Sequence, residues 1–235
     1  MISNHPIDPF DLKEISKLHP RRLFWTAYGR IMNSYGRKTQ QPVFDLIQQL
    51  EPKYLFTERG DFLTDTAVTS SQIELLKMAI RDTEALTEPI AEIGSYRGVT
   101  TQLLATSTRR LVYAIDPYIG YGGWESDLNS FKERCQDLSN VHHLRMPSGT
   151  AFKQFQQEQE FSLIFIDAVH DFINTWFDFC SWSSLVKLYG LIAMHDVDDF
   201  PGTNLAFRQV INQTDKYRLW AYCPNLAIFQ KVSND

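Results

Sequence analysis

Residues 89–98 read Pro-Ile-Ala-Glu-Ile-Gly-Ser-Tyr-Arg-Gly, and this stretch decides the fold. A short apolar run contains Glu92, and Gly94 and Gly98 follow in an E-x-G-x-x-x-G pattern. Glycine lets the backbone turn tightly and lets a ligand approach without interference from a Cβ atom. A helix that begins after such a turn offers free N–H groups to an anionic ligand group. The stretch predicts a buried strand, a ligand-binding turn and a helix; the alternative is a turn without a ligand.

Outward from this turn, apolar runs alternate with segments of helical periodicity. Predicted strands cover 89–93, 111–115, 141–146, 161–166 and 191–194, and predicted helices cover 98–107, 127–138, 150–157, 174–188 and 204–211. Alternating strands and helices form a parallel sheet with helices on both faces. Three residues separate the last two strands, 217–222 and 226–231, and such a short connection makes an antiparallel hairpin. The sequence predicts an α/β fold with a doubly wound, mostly parallel sheet of seven strands that ends in this hairpin.

The first 67 residues have a different pattern. Helical patches cover 9–18, 22–34 and 42–50, interrupted by proline and glycine, and no alternating strand pattern is present. We therefore predict an N-terminal helical cap or lid over residues 1–67 and a ligand-binding domain over residues 68–235. Residues 57–65 are expected to form a mobile joint between the two parts.

Composition narrows the functional classes. The chain has 235 residues and a net charge of −5, which argues against a nucleic-acid partner bound through phosphate neutralisation. Cys135, Cys180 and Cys223 are far apart and lack zinc-site spacing, so we expect free thiols in a reducing cytoplasm. The sequence has no signal-peptide pattern and no apolar run long enough to span a bilayer, so no membrane partner is expected.

Asp116 adds a second feature at the same edge of the predicted sheet. It ends the strand that follows the glycine turn, roughly 20 residues after Gly94, and an acid at this spacing accepts both ribose hydroxyls of a nucleoside. The alternative is that Asp116, followed by Pro117, only begins a turn. The combination of strand, glycine turn, helix, strand and acid favours a nucleoside-binding site.

Polar side chains also follow two later strands. Asp167 and His170 come after one apolar run, and His195 and Asp196 come after the next. Because these strands end at one edge of the sheet, Asp167 and Asp196 are expected to face one cleft. Clustered carboxylates repel one another unless a cation or proton joins them, and oxygen ligands suit Mg²⁺. For His195, the alternative is a hydrogen bond across the cleft.

Four segments, in this order and spacing, resemble class I S-adenosylmethionine-dependent methyltransferases. They are EIGSYRGVTT from residue 92, YAIDPY from residue 113, SLIFIDAVHDF from residue 162 and GLIAMHDV from residue 190. The segments are most similar to the branch of metal-dependent small-molecule and sugar O-methyltransferases and cephalosporin-hydroxylase-like proteins. The resemblance covers roughly residues 68–231 and does not include the N-terminal cap.

The resemblance implies a role for each matching position. The residues implied to contact S-adenosylmethionine are Glu92, Gly94, Ser95, Tyr96, Gly98, Asp116 at the ribose, Ser148 near the adenine, and Asp167. The residues implied to bind Mg²⁺ or Mn²⁺ are Asp167, His195 and Asp196. Related metal-dependent enzymes usually carry a carboxylate at the position of His195, and imidazole suits Mg²⁺ less well. The residues implied to act catalytically are Asp167 and His170.

The expected reaction is transfer of the S-methyl group to a hydroxyl oxygen of a small molecule, such as a sugar or natural product. His170 is expected to be the general base, because its ordinary pKa near 6.5 permits a neutral imidazole. The alternative for His170 is that it caps the next helix or orients Asp167. Two other functions stay open: a nucleotide- or NAD-binding oxidoreductase, although G-x-G-x-x-G is absent, and a non-catalytic S-adenosylmethionine-binding protein. The acceptor and a homo-oligomeric state also stay open.

Overall fold

The predicted alternation of strands and helices is present in the structure, a computed structural model that describes residues 8–14, 16–40, 43–120, 123–155 and 160–234. The strands are β1 (Tyr54–Leu55), β2 (Ile90–Ile93), β3 (Val112–Ile115), β4 (Val141–Leu144), β5 (Phe161–Ile166), β6 (Val186–His195), β7 (Tyr217–Cys223) and β8 (Leu226–Lys231). They form one sheet in the order β1-β7-β8-β6-β5-β2-β3-β4. Among these strands, β8 alone runs against the others.

Helices cover both faces of this sheet. They are α1 (Asp11–Glu14), α2 (Pro20–Thr39), α3 (Phe44–Gln49), α4 (Ser70–Asp82), α5 (Val99–Thr106), α6 (Glu125–Cys135), α7 (Ser148–Phe155), α8 (Phe172–Ser184) and α9 (Pro201–Ile211). Side chains of β5 alternate between the two faces, as the period of a strand requires. Ile164 packs with Trp182 of α8 and Phe207 of α9, whereas Phe165 packs with Leu75 of α4. The predicted fold class is confirmed. None of the described helices is long and apolar enough to cross a membrane.

The sheet has one strand more than the seven predicted. Tyr54 and Leu55, in the predicted cap, form β1 and pair with Ala221 and Tyr222 of β7. Two residues give no alternating pattern, so this strand has no signal in the sequence. A second difference is at β6, which begins at Val186 inside the predicted helix 174–188.

The predicted N-terminal part packs closely on the predicted domain. Val43 and Ile47 are buried in the same apolar cluster as α8 and α9. Helix α2 lies against both of these helices, with Gly29 beside Ile173 and Gly36 beside Pro201. The division at residues 67 and 68 stays a prediction. Parts of the predicted helices fall outside the described residues, namely residues 15, 42 and 156–157.

The sheet reverses its order between β2 and β5. The chain passes from β2 to β3 and β4 on one side, and then returns to place β5 on the other side of β2. Ligands of open α/β sheets bind at the carboxyl ends of the strands at such a switch point. Gly94 directly follows β2 and Asp167 directly follows β5, so the fold brings both to this point.

Candidate active site

One cavity of about 260 Å³ opens at the carboxyl ends of β2, β3 and β5. The start of α7 and one face of α8 also line it, together with Phe10, residues 65–67 and the start of α5. The predicted site residues that line it are Glu92, Gly94, Ser95, Tyr96, Asp116, Ser148, Asp167 and His170. The structure therefore brings most of the predicted cofactor residues and the predicted base into one cavity.

The turn after β2 lies close to the end of β5. Gly94 has a φ of +95°, and a Cβ atom there would overlap the carbonyl oxygen of Asp167. Because glycine alone combines this backbone conformation with such a close approach, a larger residue would push the strand ends apart. Gly98, by contrast, begins α5 and packs against Phe131 of α6. It is not among the residues that line the cavity, and its predicted contact with the cofactor stays a prediction.

Asp116 holds this turn from the neighbouring strand. Its Oδ2 accepts a hydrogen bond from the N–H of Tyr96 at 3.0 Å, and its Oδ1 accepts one from the N–H of Tyr118 at 2.9 Å. Burial raises the pKa of Asp116, although these hydrogen bonds act to lower it. Each carboxylate oxygen has a second lone pair. Asp116 can therefore accept a ligand hydroxyl while it fixes the turn.

Glu92 is a buried acid in the same wall. Its carboxyl group accepts a hydrogen bond from the hydroxyl of Thr101. Burial raises the pKa of Glu92 to about 8, and the nearby Asp167 and Asp116 add to the increase. Glu92 is therefore largely protonated near neutral pH. A cationic ligand group beside it would favour the carboxylate instead.

Asp167, His170 and Asp196 form the charged centre of the site. One ligand atom from each residue lies within 4.8 Å of the other two. Nε2 of His170 is 2.8 Å from Oδ2 of Asp196 and 3.6 Å from Oδ1 of Asp167, and the imidazole stacks on Phe200. Burial lowers the pKa of His170, but the two carboxylates outweigh it and raise the pKa to about 9. His170 is therefore protonated near neutral pH in this arrangement, contrary to the expectation of an ordinary pKa.

His195 lies behind this centre with a fully buried side chain. Its Nδ1 is 3.1 Å from Oδ1 of Asp167, and its Nε2 is 3.1 Å from Oε1 of Gln72. Burial acts to lower its pKa, but Asp167 and Asp196 raise it to about 10. Both ring nitrogens thus have protein partners. The candidate metal ligands that the structure groups are Asp167, His170 and Asp196 rather than the predicted set with His195, whose role as a ligand stays a prediction.

Asp178 and Gln72 are among the polar side chains of the site that the sequence did not predict. Asp178 of α8 lines the cavity and accepts a hydrogen bond from the hydroxyl of Ser148. Gln72 of α4 contacts His195. The only signal for Asp178 is a lone carboxylate in an aromatic-rich helix, and Gln72 has none, because it reads as a helix-capping residue. The predicted alternative that His170 caps α8 is wrong, because the capping residue is Asp171.

Residues 91–197 match a family model described as a methyltransferase domain. No curated protein matches the chain. Among solved structures, CalS11, a TDP-rhamnose 3′-O-methyltransferase of calicheamicin biosynthesis, has 15% sequence identity and a TM-score of 0.55, and the match covers 94% of this chain and 98% of that one. TomG of Streptomyces achromogenes, an O-methyltransferase of tomaymycin synthesis solved with S-adenosylmethionine, has 16% identity and a TM-score of 0.55, with 73% and 84% covered.

An rRNA methylase from Streptococcus thermophilus is also similar, with 16% identity and a TM-score of 0.53. That match covers 68% of this chain and 96% of the methylase. At such low identity, all three likenesses show the fold and not the substrate. The family match over residues 91–197 confirms the resemblance to methyltransferases that the sequence motifs indicated.

Proposed function

We propose, from the premise that residues 91–197 form a class I S-adenosylmethionine-dependent methyltransferase domain, that this chain methylates a hydroxyl oxygen of a small molecule. One observation carries the proposal. The glycine turn and Asp116, which suit a nucleoside cofactor, line the same cavity as Asp167 and His170, which suit an ionising hydroxyl. A methyl donor and an acceptor bound in this cavity would meet without crossing bulk water.

In this proposal, successive parts of the cofactor would lie at the carboxyl ends of the neighbouring strands β3, β2 and β5. Asp116, after β3, would accept hydrogen bonds from the ribose hydroxyls, and the turn at Gly94, after β2, would hold the methionine part. Burial of the amino group beside Glu92 would draw that carboxyl group into its ionised form. Asp167, after β5, would lie near the sulfonium. These residues would thus position the methyl group for in-line attack, and positioning of this kind supplies much of the rate enhancement of group transfer.

The acceptor hydroxyl must lose a proton, and His170 is the group that we assign to this step. Without a metal ion, the imidazole of His170 is protonated, because the negative charges of Asp167 and Asp196 raise its pKa. If another cation neutralised those two carboxylates, the pKa of the imidazole would fall. The neutral imidazole could then act as a base. The two carboxylates are oxygen donors that suit Mg²⁺ or Mn²⁺. Such an ion, held by Asp167 and Asp196, would also lower the pKa of the hydroxyl.

Charge favours a small acceptor over a nucleic acid. The chain has a net charge of −5, and acids prevail in the lining of the cavity. Binding to a phosphate backbone relies on clustered Lys and Arg side chains instead. The match with the O-methyltransferase CalS11 also covers 94% of this chain, whereas the match with the rRNA methylase covers 68% of it. We therefore propose a sugar or natural-product acceptor.

The test is turnover of S-adenosylmethionine with a panel of acceptors. The panel contains nucleotide sugars, polyphenols and a ribosomal RNA fragment, with formation of S-adenosylhomocysteine as the readout. We expect methylation of a hydroxyl compound and none of RNA. Methylation of the RNA alone would overturn the acceptor class. Absence of turnover, with S-adenosylhomocysteine still bound, would favour a non-catalytic binding protein, and stabilisation against heat by NAD alone would favour an oxidoreductase.

A further inference from the structure

Helix α2 carries an apolar stripe on its outer face. Gly29 and Gly36 lie on the opposite face, where α2 packs against α8 and α9. On the outer face, large apolar side chains that are each more than half exposed recur at helical spacing, namely Leu23, Phe24, Ile31 and Tyr35. Apolar side chains that are exposed together, rather than singly, mark an interaction surface.

Basic side chains lie along both edges of this stripe. Residues 16–40 contain no Asp or Glu, and their basic residues are Lys17, Arg21, Arg22, Arg30, Arg37 and Lys38. Because a helix turns once in about 3.6 residues, Arg30 and Arg37 lie along one edge of the stripe and Arg21 lies along the other. In the described part of the chain, none of these three guanidinium groups forms an ion pair. The chain has a net charge of −5, so this face is basic although the protein is acidic.

The stripe and its basic edges together favour one class of partner. A nucleic-acid backbone would pair with the guanidinium groups but would leave the apolar stripe in water. A symmetric contact between two copies of the chain would bring the basic edges together, and like charges repel. An anionic lipid surface suits both parts, because acyl chains take up apolar side chains and lipid phosphates pair with guanidinium groups.

We propose that the outer face of α2 docks the protein on an anionic lipid bilayer, with the helix parallel to the surface. Phe24 and Ile31 enter the boundary of the acyl region, and Arg30 and Arg37 pair with lipid phosphates. A helix that lies on a bilayer needs no membrane-spanning segment. The expectation of no membrane partner rests on the absence of such a segment, so it does not test this mode of binding.

The inner face of α2 connects this surface to the active site. Asn33 accepts a hydrogen bond from the N–H of Phe172 at 3.0 Å, and the amide of Gln40 donates one to the carbonyl oxygen of Asp198 at 2.7 Å. These contacts hold the two loops that follow β5 and β6 and carry the acids of the site. Docking therefore places both loops about 10 Å, one helix diameter, from the lipid surface.

Flotation of the whole chain with vesicles tests the proposal and needs no methyl donor, so its outcome is independent of the proposed function. Vesicles of phosphatidylglycerol and phosphatidylcholine in equal amounts should bind the protein, whereas vesicles of phosphatidylcholine alone should not. The double variant R30Q/R37Q should bind the anionic vesicles about 30-fold more weakly, because two attractions to the surface are lost. The double variant F24S/I31S should weaken binding by about 10-fold or more, because it removes the apolar anchors.

The matched control is R109Q/R218Q, which removes two exposed arginines outside α2 and should bind like the wild-type protein. All six substituted residues are exposed, so each variant should melt like the wild-type protein. An equal loss of binding in this control would mean that net charge alone attracts the protein, and the docking face would be wrong.

Four other results would overturn the proposal. They include absence of flotation with the anionic vesicles and equal binding by the wild-type protein and R30Q/R37Q. A dimer in light scattering that F24S/I31S converts to a monomer would assign the face to a second copy of the chain. Binding to poly-glutamate, without binding to the vesicles, would assign the face to an acidic protein.

Discussion

Gln72 and His195 form a buried pair, with 3.1 Å between Oε1 of the amide and Nε2 of the ring. The amide nitrogen of Gln72 donates to the carbonyl oxygen of Pro224, and its oxygen also accepts from the N–H of Thr69. These two contacts fix the amide so that its oxygen faces the ring. Nε2 of His195 therefore donates to Gln72, and because the pKa of the ring is raised to about 10, Nδ1 also carries a proton, which faces Asp167.

Gln72→Leu should destabilise the protein, because it leaves the buried partners of the amide without hydrogen bonds. Each unpaired buried group costs about 1–3 kcal/mol in the free energy of unfolding. Urea titration measures the loss. Gln48→Leu, at an exposed position of α3, serves as the matched control and should change stability little. Similar losses in both variants would mean that the Gln72 contacts contribute nothing specific.

Asp116→Ala should weaken binding of S-adenosylhomocysteine by about 1–3 kcal/mol, because the ribose hydroxyls lose their acceptor. The same variant frees the N–H groups of Tyr96 and Tyr118, so the turn also loosens. Asp116→Asn keeps an acceptor and should bind with intermediate affinity. Calorimetry gives both values, and unchanged affinity in Asp116→Ala would remove this residue from the cofactor site.

Divalent metal should bind at the carboxylates of Asp167 and Asp196. We expect Mn²⁺ to bind to the protein, as followed by electron paramagnetic resonance, and to restore turnover after chelation. Asp196→Asn should weaken Mn²⁺ binding strongly because it removes one negative ligand. Asp199→Asn is the control, since Asp199 pairs with Arg59 at 2.9 Å and is outside the grouped ligand atoms. Full activity of chelated enzyme would assign the carboxylates to hydrogen bonding alone.

His170→Ala should lower kcat by about 10²- to 10⁴-fold, the usual contribution of a positioned base, while the affinity for S-adenosylhomocysteine stays near normal. Phe200→Leu removes the ring that stacks on His170 but keeps the imidazole, and should cost much less. Mn²⁺ binding separates the two roles of His170. If His170→Ala abolishes that binding, the imidazole is a metal ligand, and near-normal kcat would exclude it as the base.

His143 should make the fold sensitive to acid. Burial, with help from Lys132 and Arg145, lowers the pKa of His143 to about 4, and Phe131 packs 4.5 Å from its ring. A folded protein that binds this proton less readily than the unfolded chain loses stability as the pH falls from about 6.5 toward 4. His143→Gln should flatten this part of the stability profile. An unchanged slope in thermal melts from pH 4 to 7 would assign the acid sensitivity to other groups.

The sequence predicts the features that depend on hydrophobic periodicity and on the position of a residue at the end of a strand. Buried runs such as Phe161–Ile166 alternate with helices, and acids such as Asp167 that follow them reach one edge of the sheet. Contacts between distant helices leave no periodic signal, which is why Asp178 and Gln72 were missed. The structure groups His170, and not the predicted His195, with the carboxylates of Asp167 and Asp196. This grouping depends on loop geometry, including the φ of +61° at Asp196, which residue types do not reveal.

The pairing of β1 with β7 joins two strands that are far apart in the sequence. Tyr54 is synthesised well before its partner Ala221. At about 5–20 residues per second, β1 waits roughly 8 to 33 seconds for its partner with its backbone unpaired. A fragment cut at the predicted boundary would keep β7 but expose its outer edge, a template for aggregation. Trial expression of the methyltransferase domain alone should therefore start before Tyr54.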